Sequence, residues 1–298
     1  MRADFVVVGA SYAGLAAALQ LARARRDVLV VDAGLRRNRF VDAAGGAAHG
    51  LIGQDGMAPG DIAAQARHQL ARYQTVRWLD ASVDTAHRLP DGGGFELRAQ
   101  AACVTASRIV LATGVNDELP PVPGLQARWG RSVFHCPYCH AHELGRGPIG
   151  VIAANEQAQH LALLLPDWGE TVLFLNGGYV PDAQQRADLA RRGTRIEATP
   201  VVQVEGVADV HLADGRTLAM AGLFTQPRTH LNGSLAEQLG CAMAEGSAGP
   251  FIQVDEAQAT SVPNVYACGD AARPSGNLAL AAASGSVAGM AAHQSTVF

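Results

Sequence analysis

The chain has 298 residues, 48% of them hydrophobic and 17% charged, with a formal net charge of −4. That length corresponds to about two domains with room for a large core, and the composition excludes a disordered or disulfide-scaffolded protein. Lys and Arg are scattered apart from Arg23-Ala24-Arg25-Arg26 and Arg36-Arg37-Asn38-Arg39, which argues against nucleic acid or an anionic membrane as the main partner.

Phe5-Val6-Val7-Val8 reads as a parallel strand buried on both faces, beginning at Asp4 or Phe5 and leaving no room for a leader. The turn Gly9-Ala10-Ser11-Tyr12-Ala13-Gly14 follows, then an Ala- and Leu-rich helix to about Arg25 and a strand over Val28–Val31 that ends at Asp32. This is a βαβ unit with a right-handed crossover. Pro59–Tyr73 reads as a helix, and Val76–Trp78, Ser82–His87 and Phe95–Arg98 as strands, with Asp91-Gly92-Gly93-Gly94 as a hairpin turn. Ile109-Val110-Leu111-Ala112 is a further buried strand closing at Thr113-Gly114. The Pro-rich stretch Asp117–Pro123 reads as a linker.

A second α/β unit follows, with strands at 149–153 and 171–175 and helices at 156–165 and 182–192. Pro227 marks a return. The late strand Val265–Cys268 ends at Gly269-Asp270, ahead of an apolar helix over Asn277–Ala292. The expected organisation is a discontinuous first domain, 1–116 with 229–298, into which 117–228 is inserted. No apolar run reaches the ~18 residues that cross a membrane, so a soluble cytoplasmic protein is expected. The five cysteines do not form a disulfide framework; Cys136 and Cys139, two residues apart, read as a redox pair, while Cys103, Cys241 and Cys268 read as buried small hydrophobes.

Two motifs point to a dinucleotide cofactor. Gly9-x-Ser11-x-x-Gly14 sits between strand and helix, where the glycines allow a tight turn and the helix N-terminus faces a pyrophosphate. Asp32 lies at the spacing of a ribose-binding acid. Gly269-Asp270 follows a buried strand, where an acid can hold a ribityl hydroxyl, and the next helix can aim its N-terminus at a flavin. With Ala112-Thr113-Gly114, the set indicates FAD.

These residues resemble the low-molecular-weight thioredoxin reductases, with Gly9–Gly14, Ala112-Thr113-Gly114, Cys136-Pro137-Tyr138-Cys139 and Gly269-Asp270 in the family's order and spacing. The resemblance spans essentially the whole chain. It implies an α/β protein of two Rossmann-like, three-layer (ββα) domains of the pyridine nucleotide-disulfide oxidoreductase type, the second inserted into the first, forming a homodimer. It carries cofactor contacts onto Gly9, Ser11, Ala13, Gly14, Asp32, Ala33, Gln54, Val83, Ala112, Thr113, Gly114, Gly269, Asp270 and Ala281.

The chain departs from that family in three places. At the second nucleotide loop stands Ala153-Ala154-Asn155-Glu156-Gln157-Ala158, whose side chains crowd a backbone that must approach phosphate. Asn176-Gly177-Gly178-Tyr179-Val180-Pro181-Asp182 follows the next strand with no cation for a ribose 2′-phosphate. NADPH is therefore not expected to bind. Third, His140 follows the second cysteine. Cys136-x-x-Cys139-His140-x-x-Glu143 is similar to the NADPH-independent dithiol oxidases of disulfide natural-product biosynthesis (gliotoxin and holomycin type). That likeness implies a small-molecule dithiol as electron donor, dioxygen as acceptor and no metal. Cys136 then forms the mixed disulfide, Cys139 passes electrons to FAD, and His140, titrating near neutrality, takes the thiol proton.

Other readings stay open from sequence: a reductase fed by ferredoxin or another donor, or a flavin-bound redox sensor. Haem attachment at Cys-x-x-Cys-His needs no flavin domain around it, and His140 and His142 lie too close together to complete a zinc site. Trp78, Trp129 and Trp168 read as packing residues. His49, in a Gly-rich loop, is a candidate to face the active site.

Overall fold

The computed structural model describes residues 1–90 and 92–298; Asp91, placed in the expected hairpin turn, lies outside the described residues. Strand β1 (Arg2–Val8), helix α1 (Tyr12–Arg23) and β2 (Val28–Asp32) form the expected parallel βαβ unit, with Phe5 opposite Val28. A short helix α2 (Arg39–Ala43) and α3 (Pro59–Leu70) lead into β3 (Val76–Asp80), which pairs parallel with β2. Strands β4 (Thr85–Arg88), β5 (Phe95–Ala99) and β6 (Ala102–Leu111) form an antiparallel meander.

β6 is longer than its apolar end predicts. Its first half alternates buried and open residues while pairing with β5; its last three residues, Ile109–Leu111, are buried between β1 and the late strand Val265–Ala267. Alternation in the first half turns Cys103 outward, so this cysteine is exposed, contrary to the expectation of burial; Cys241 and Cys268 are buried.

A ribbon leads out of this sheet. β7 (Val115–Glu118) opens the stretch read as a linker and pairs antiparallel with the returning strand Arg228–Leu231, Glu118 opposite Arg228. The two strands straddle both expected domain boundaries. Between them β8 (Val133–Phe134), β9 (Ile149–Ile152), β10 (Thr171–Phe174), β11 (Arg195–Glu197) and the strand Gly222–Phe224 form a five-stranded parallel sheet. A three-stranded antiparallel sheet over 201–219 belongs to the same unit. The architecture is thus two-domain α/β.

Each large sheet is packed on both faces, giving two apolar cores per unit. On one face of the first sheet, α1 meets the C-terminal helix Leu278–Gln294 along a seam of small residues. A Cβ added at Gly285 would lie 2.0 Å from the Ala13 carbonyl oxygen, and one at Gly289 would lie 2.5 Å from that of Ala17. Only bare glycines allow this approach, and the seam fixes both helix N-termini relative to each other.

Candidate active site

A cavity opens where these two helices begin, and it runs from the first sheet to the cysteine pair. Its floor is set by backbone geometry. Gly9 adopts φ +96°, and a Cβ there would lie 2.3 Å from the Ala112 carbonyl; at Gly14 it would lie 1.8 Å from that of Gly9. Ser11 is the N-cap of α1 but makes no side-chain cap bond, so the first N–H groups of the helix remain available to an anion. Asp32 accepts a hydrogen bond from Ala10 N–H at 2.9 Å and steadies the turn. Asn277 caps the C-terminal helix through Leu280 N–H.

Of the predicted cofactor residues, Ser11, Ala13, Ala112, Thr113, Gly114, Gly269, Asp270 and Ala281 line this cavity. Gly9 and Gly14 act beneath it by permitting the turn. Gln54 and Val83 do not line it: the Gln54 amide bonds Gln65 at 3.2 Å, and Val83 packs against the core. Asp32 and Ala33 also lie outside its lining, at the end of β2. The turn, the uncapped N–H groups and the buried Asn38 Oδ1, which has no partner, fit an FAD molecule with its pyrophosphate at α1.

Arg37 was not singled out by the sequence. Its guanidinium donates to both oxygens of Asp117, at 3.0 and 2.6 Å, and to Asp270 at 2.8 Å. Burial opposes its charge, but the two carboxylates more than restore it and hold Arg37 well above its ordinary value. One side chain thus ties the Gly-Asp motif to the interdomain ribbon.

Cys136 and Cys139 form a disulfide with Cα atoms 5.3 Å apart. Cys136 is the N-cap of the short helix α4 (Pro137–His140), and Pro137 at its first position suits that start. Cys139 and His140 line the cavity, while Cys136 does not. Tyr138 is 71% exposed and meets Trp168 edge-on, with ring centroids 5.4 Å apart. Trp129 packs as expected but also faces the cavity.

His140 departs from the expectation of near-neutral titration. Its ring stacks on Phe134 at 4.3 Å, and burial, assisted by His49, pushes it down to about 4. Moving a proton from an ordinary thiol (pKa ~8.5) to such a ring costs about 6 kcal/mol, against about 2.7 for an unperturbed histidine. His135, another residue unassigned from sequence, faces the cavity beside Trp129. Burial and then Arg37 push it down to about 3. Its signal was adjacency to Cys136 alone, which names no role.

His49 also faces the cavity. Its Nδ1 lies 3.5 Å from Asp55 and its Nε2 3.5 Å from Glu143. Gly50 N–H donates to Asp55 at 2.8 Å and, with His49, holds that carboxyl below its usual range. Among the described residues, no cluster of His, Cys, Asp and Glu is arranged to hold a metal ion, and no helix is long and apolar enough to cross a membrane.

The loop after β9 is tied down by its own side chains and by the returning chain, with Ala154, Asn155 and Glu156 exposed. Asn155 Oδ1 accepts from Gln157 N–H at 2.9 Å, and the Gln157 amide donates to the Ser247 carbonyl of the returning chain. Gly178 lies so close that a Cβ there would sit 2.4 Å from the Ala153 carbonyl. Tyr179 hydroxyl donates to Gln159 Oε1.

Comparison with known proteins agrees with this layout. The pyridine nucleotide-disulphide oxidoreductase family model matches residues 3–286. The thioredoxin reductase tcpT of Claviceps purpurea is 31% identical, the alignment covering 97% of this chain and 92% of that protein. The thioredoxin reductase sirT of Leptosphaeria maculans is also 31% identical, over 96% of this chain and 92% of its own. Among solved structures, an oxidoreductase from Agrobacterium tumefaciens superposes with a TM-score of 0.96 at 52% identity, covering 100% of this chain and 99% of that one. The structure of HlmI gives 0.90 at 34% identity, covering 99% and 92%.

Proposed function

The chain belongs to the pyridine nucleotide-disulphide oxidoreductase family and is a thioredoxin-reductase-like, FAD-dependent oxidoreductase; from that premise we propose that it oxidises a small-molecule dithiol to a disulfide, with dioxygen as acceptor and without NADPH. The second loop supports this reading: Asn155, Glu156 and Gln157 stand in place of the glycines of a phosphate-binding turn, Glu156 is exposed, and a carboxylate there would repel phosphate. With that entry closed, the remaining route for electrons into the flavin cavity is the disulfide that opens onto it.

The residues divide the work by position. Ser11, Ala13, Thr113, Asp270 and Ala281, which line the cavity, would hold FAD, and the free N–H groups of α1 would meet its pyrophosphate. FAD bound there would supply a two-electron acceptor for the reduced cysteine pair and, in turn, a two-electron donor to dioxygen, giving hydrogen peroxide. A substrate thiolate attacks Cys136 Sγ, the sulfur away from the flavin end, and the electron pair of the broken S–S bond moves to Cys139 Sγ. The second substrate thiol then displaces Cys136 and leaves as the product disulfide. Cys139, lining the cavity, faces the cofactor. His140, neutral and flat against Phe134, orients the sulfur beside it.

We extend the reading to a homodimer in the cytoplasm. Leu280 and Met290 are exposed apolar residues on the C-terminal helix, and the exposed free Cys103 suits a reducing compartment. Neither nucleic acid nor a membrane enters this reading. The test uses the purified flavoprotein and dithiothreitol: oxygen is consumed without NADPH, and Cys136→Ser or Cys139→Ser stops turnover while FAD stays bound. Fast bleaching by NADPH would overturn it, and slow reoxidation by air would move it to a reductase fed by another donor.

A further inference from the structure

We propose that His49, oriented by Asp55 and supported by Glu143, is the proton acceptor for the incoming substrate thiol. The inference rests on the dithiol-oxidase reading above and names the acid–base residue of that site. A base is needed because the thiolate, not the thiol, attacks a disulfide.

Three observations favour His49 over His140. First, it lies in the same cavity as Cys139 and His140, held there by a contact between its loop and the turn after α4, where Glu143 sits 3.5 Å from Nε2. Second, Asp55 faces Nδ1 at 3.5 Å and is itself fixed by Gly50 N–H. A carboxylate on Nδ1–H favours the tautomer with its lone pair on Nε2, the orienting logic of an acid–histidine dyad. A proton arriving at Nε2 then meets Glu143. Third, the ring of His140 is packed flat on Phe134 and among the described residues what acts on it is burial and His49, not a carboxylate, so a charge there goes uncompensated.

The groups facing His49 are Asp55 on its own loop, Glu143 on the 142–144 turn, and the histidines 140 and 142, which act electrostatically on this cluster. The step balances simply. The substrate S–H proton moves to His49 Nε2, the sulfur bonds Cys136 Sγ, and the broken S–S pair remains on Cys139. The substrate sulfur is oxidised and the enzyme disulfide reduced.

The experiment is anaerobic stopped-flow reduction of the FAD-loaded protein by dithiothreitol across about pH 6 to 9, read as flavin bleaching. His49→Gln should slow it at least about a hundredfold, the low end of the usual range of about 10²–10⁴ for a lost general base, and should remove the acid-side limb of the profile. Asp55→Asn, on an exposed loop, keeps the limb but moves it, while His140→Gln slows reduction and keeps the limb in place. FAD content and melting temperature report folding of each variant. A His49→Gln protein with parental rate and profile overturns the inference alone. A parent that dithiothreitol does not bleach overturns the dithiol-oxidase reading with it.

Discussion

Replacing Arg37 with Met tests whether the interdomain ribbon and the Gly-Asp motif are fastened by one cation. The guanidinium is 22% exposed, and its partners Asp117 and Asp270 are 5% and 21% exposed. Removing one member of a buried ion pair strands the other charge and costs about 3–5 kcal/mol. Partial exposure of Arg37 places the expectation near about 3 kcal/mol. At ~2–4 °C per kcal/mol for chains of somewhat smaller size, the melting temperature should fall by about 6–12 °C in the flavin-free protein. Arg37→Lys should recover part of this, because an ammonium cannot make the two-pronged contact with Asp117. The double variant Arg37→Met with Asp117→Leu should be more stable than Arg37→Met alone, since the second change removes the stranded carboxylate. Urea and thermal melts of the four proteins measure all of this. A loss below about 1 kcal/mol for Arg37→Met would mean that the bridge behaves as a surface pair and would refute the reasoning.

His135 and His140 are both held below their unfolded value of about 6.5, at about 3 and about 4. Between those limits the unfolded chain binds more protons than the native one, so stability is full above about pH 6.5 and falls as the solution is acidified, by up to about 1.4 kcal/mol per pH unit per ring. His135→Gln should therefore halve the slope of urea-derived stability between about pH 6 and 5; an unchanged slope would count against it. Gly285→Ala places a methyl against the Ala13 carbonyl; despite alanine's better helix propensity, overpacking should cost about 1–3 kcal/mol and lower the flavin content on purification. A variant that holds FAD as the parent does would show that the two helices can part without loss.

The βαβ start was legible because its signals are local. The run Phe5–Val8, the turn glycines and Asp32 sit within one short stretch, and the structure keeps them there. The pairing of Cys136 with Cys139 was equally local. What escaped depends on distant partners. Arg37 looks like part of a basic surface run until Asp117 and Asp270 arrive, 80 and 233 residues away. β7 hides in a Pro-rich stretch because its ladder is completed only by the strand at 228–231. The meander half of β6 alternates instead of running apolar, so only its buried end was visible. His140 carries a histidine's ordinary chemistry in sequence and loses it by packing on Phe134.

The ribbon has a consequence for how such a chain can change. Glu118 and Arg228 are register partners, so the chain departs from the first sheet and re-enters it at a single point, with Cα atoms only about 5 Å apart. A two-residue turn could join them without altering the order of the seven strands or the two helix N-termini. The intervening segment therefore enters and leaves as a block, and whatever reshapes it reaches the flavin end through the wall it contributes, Trp129 to His140, and through the Arg37–Asp117 bridge.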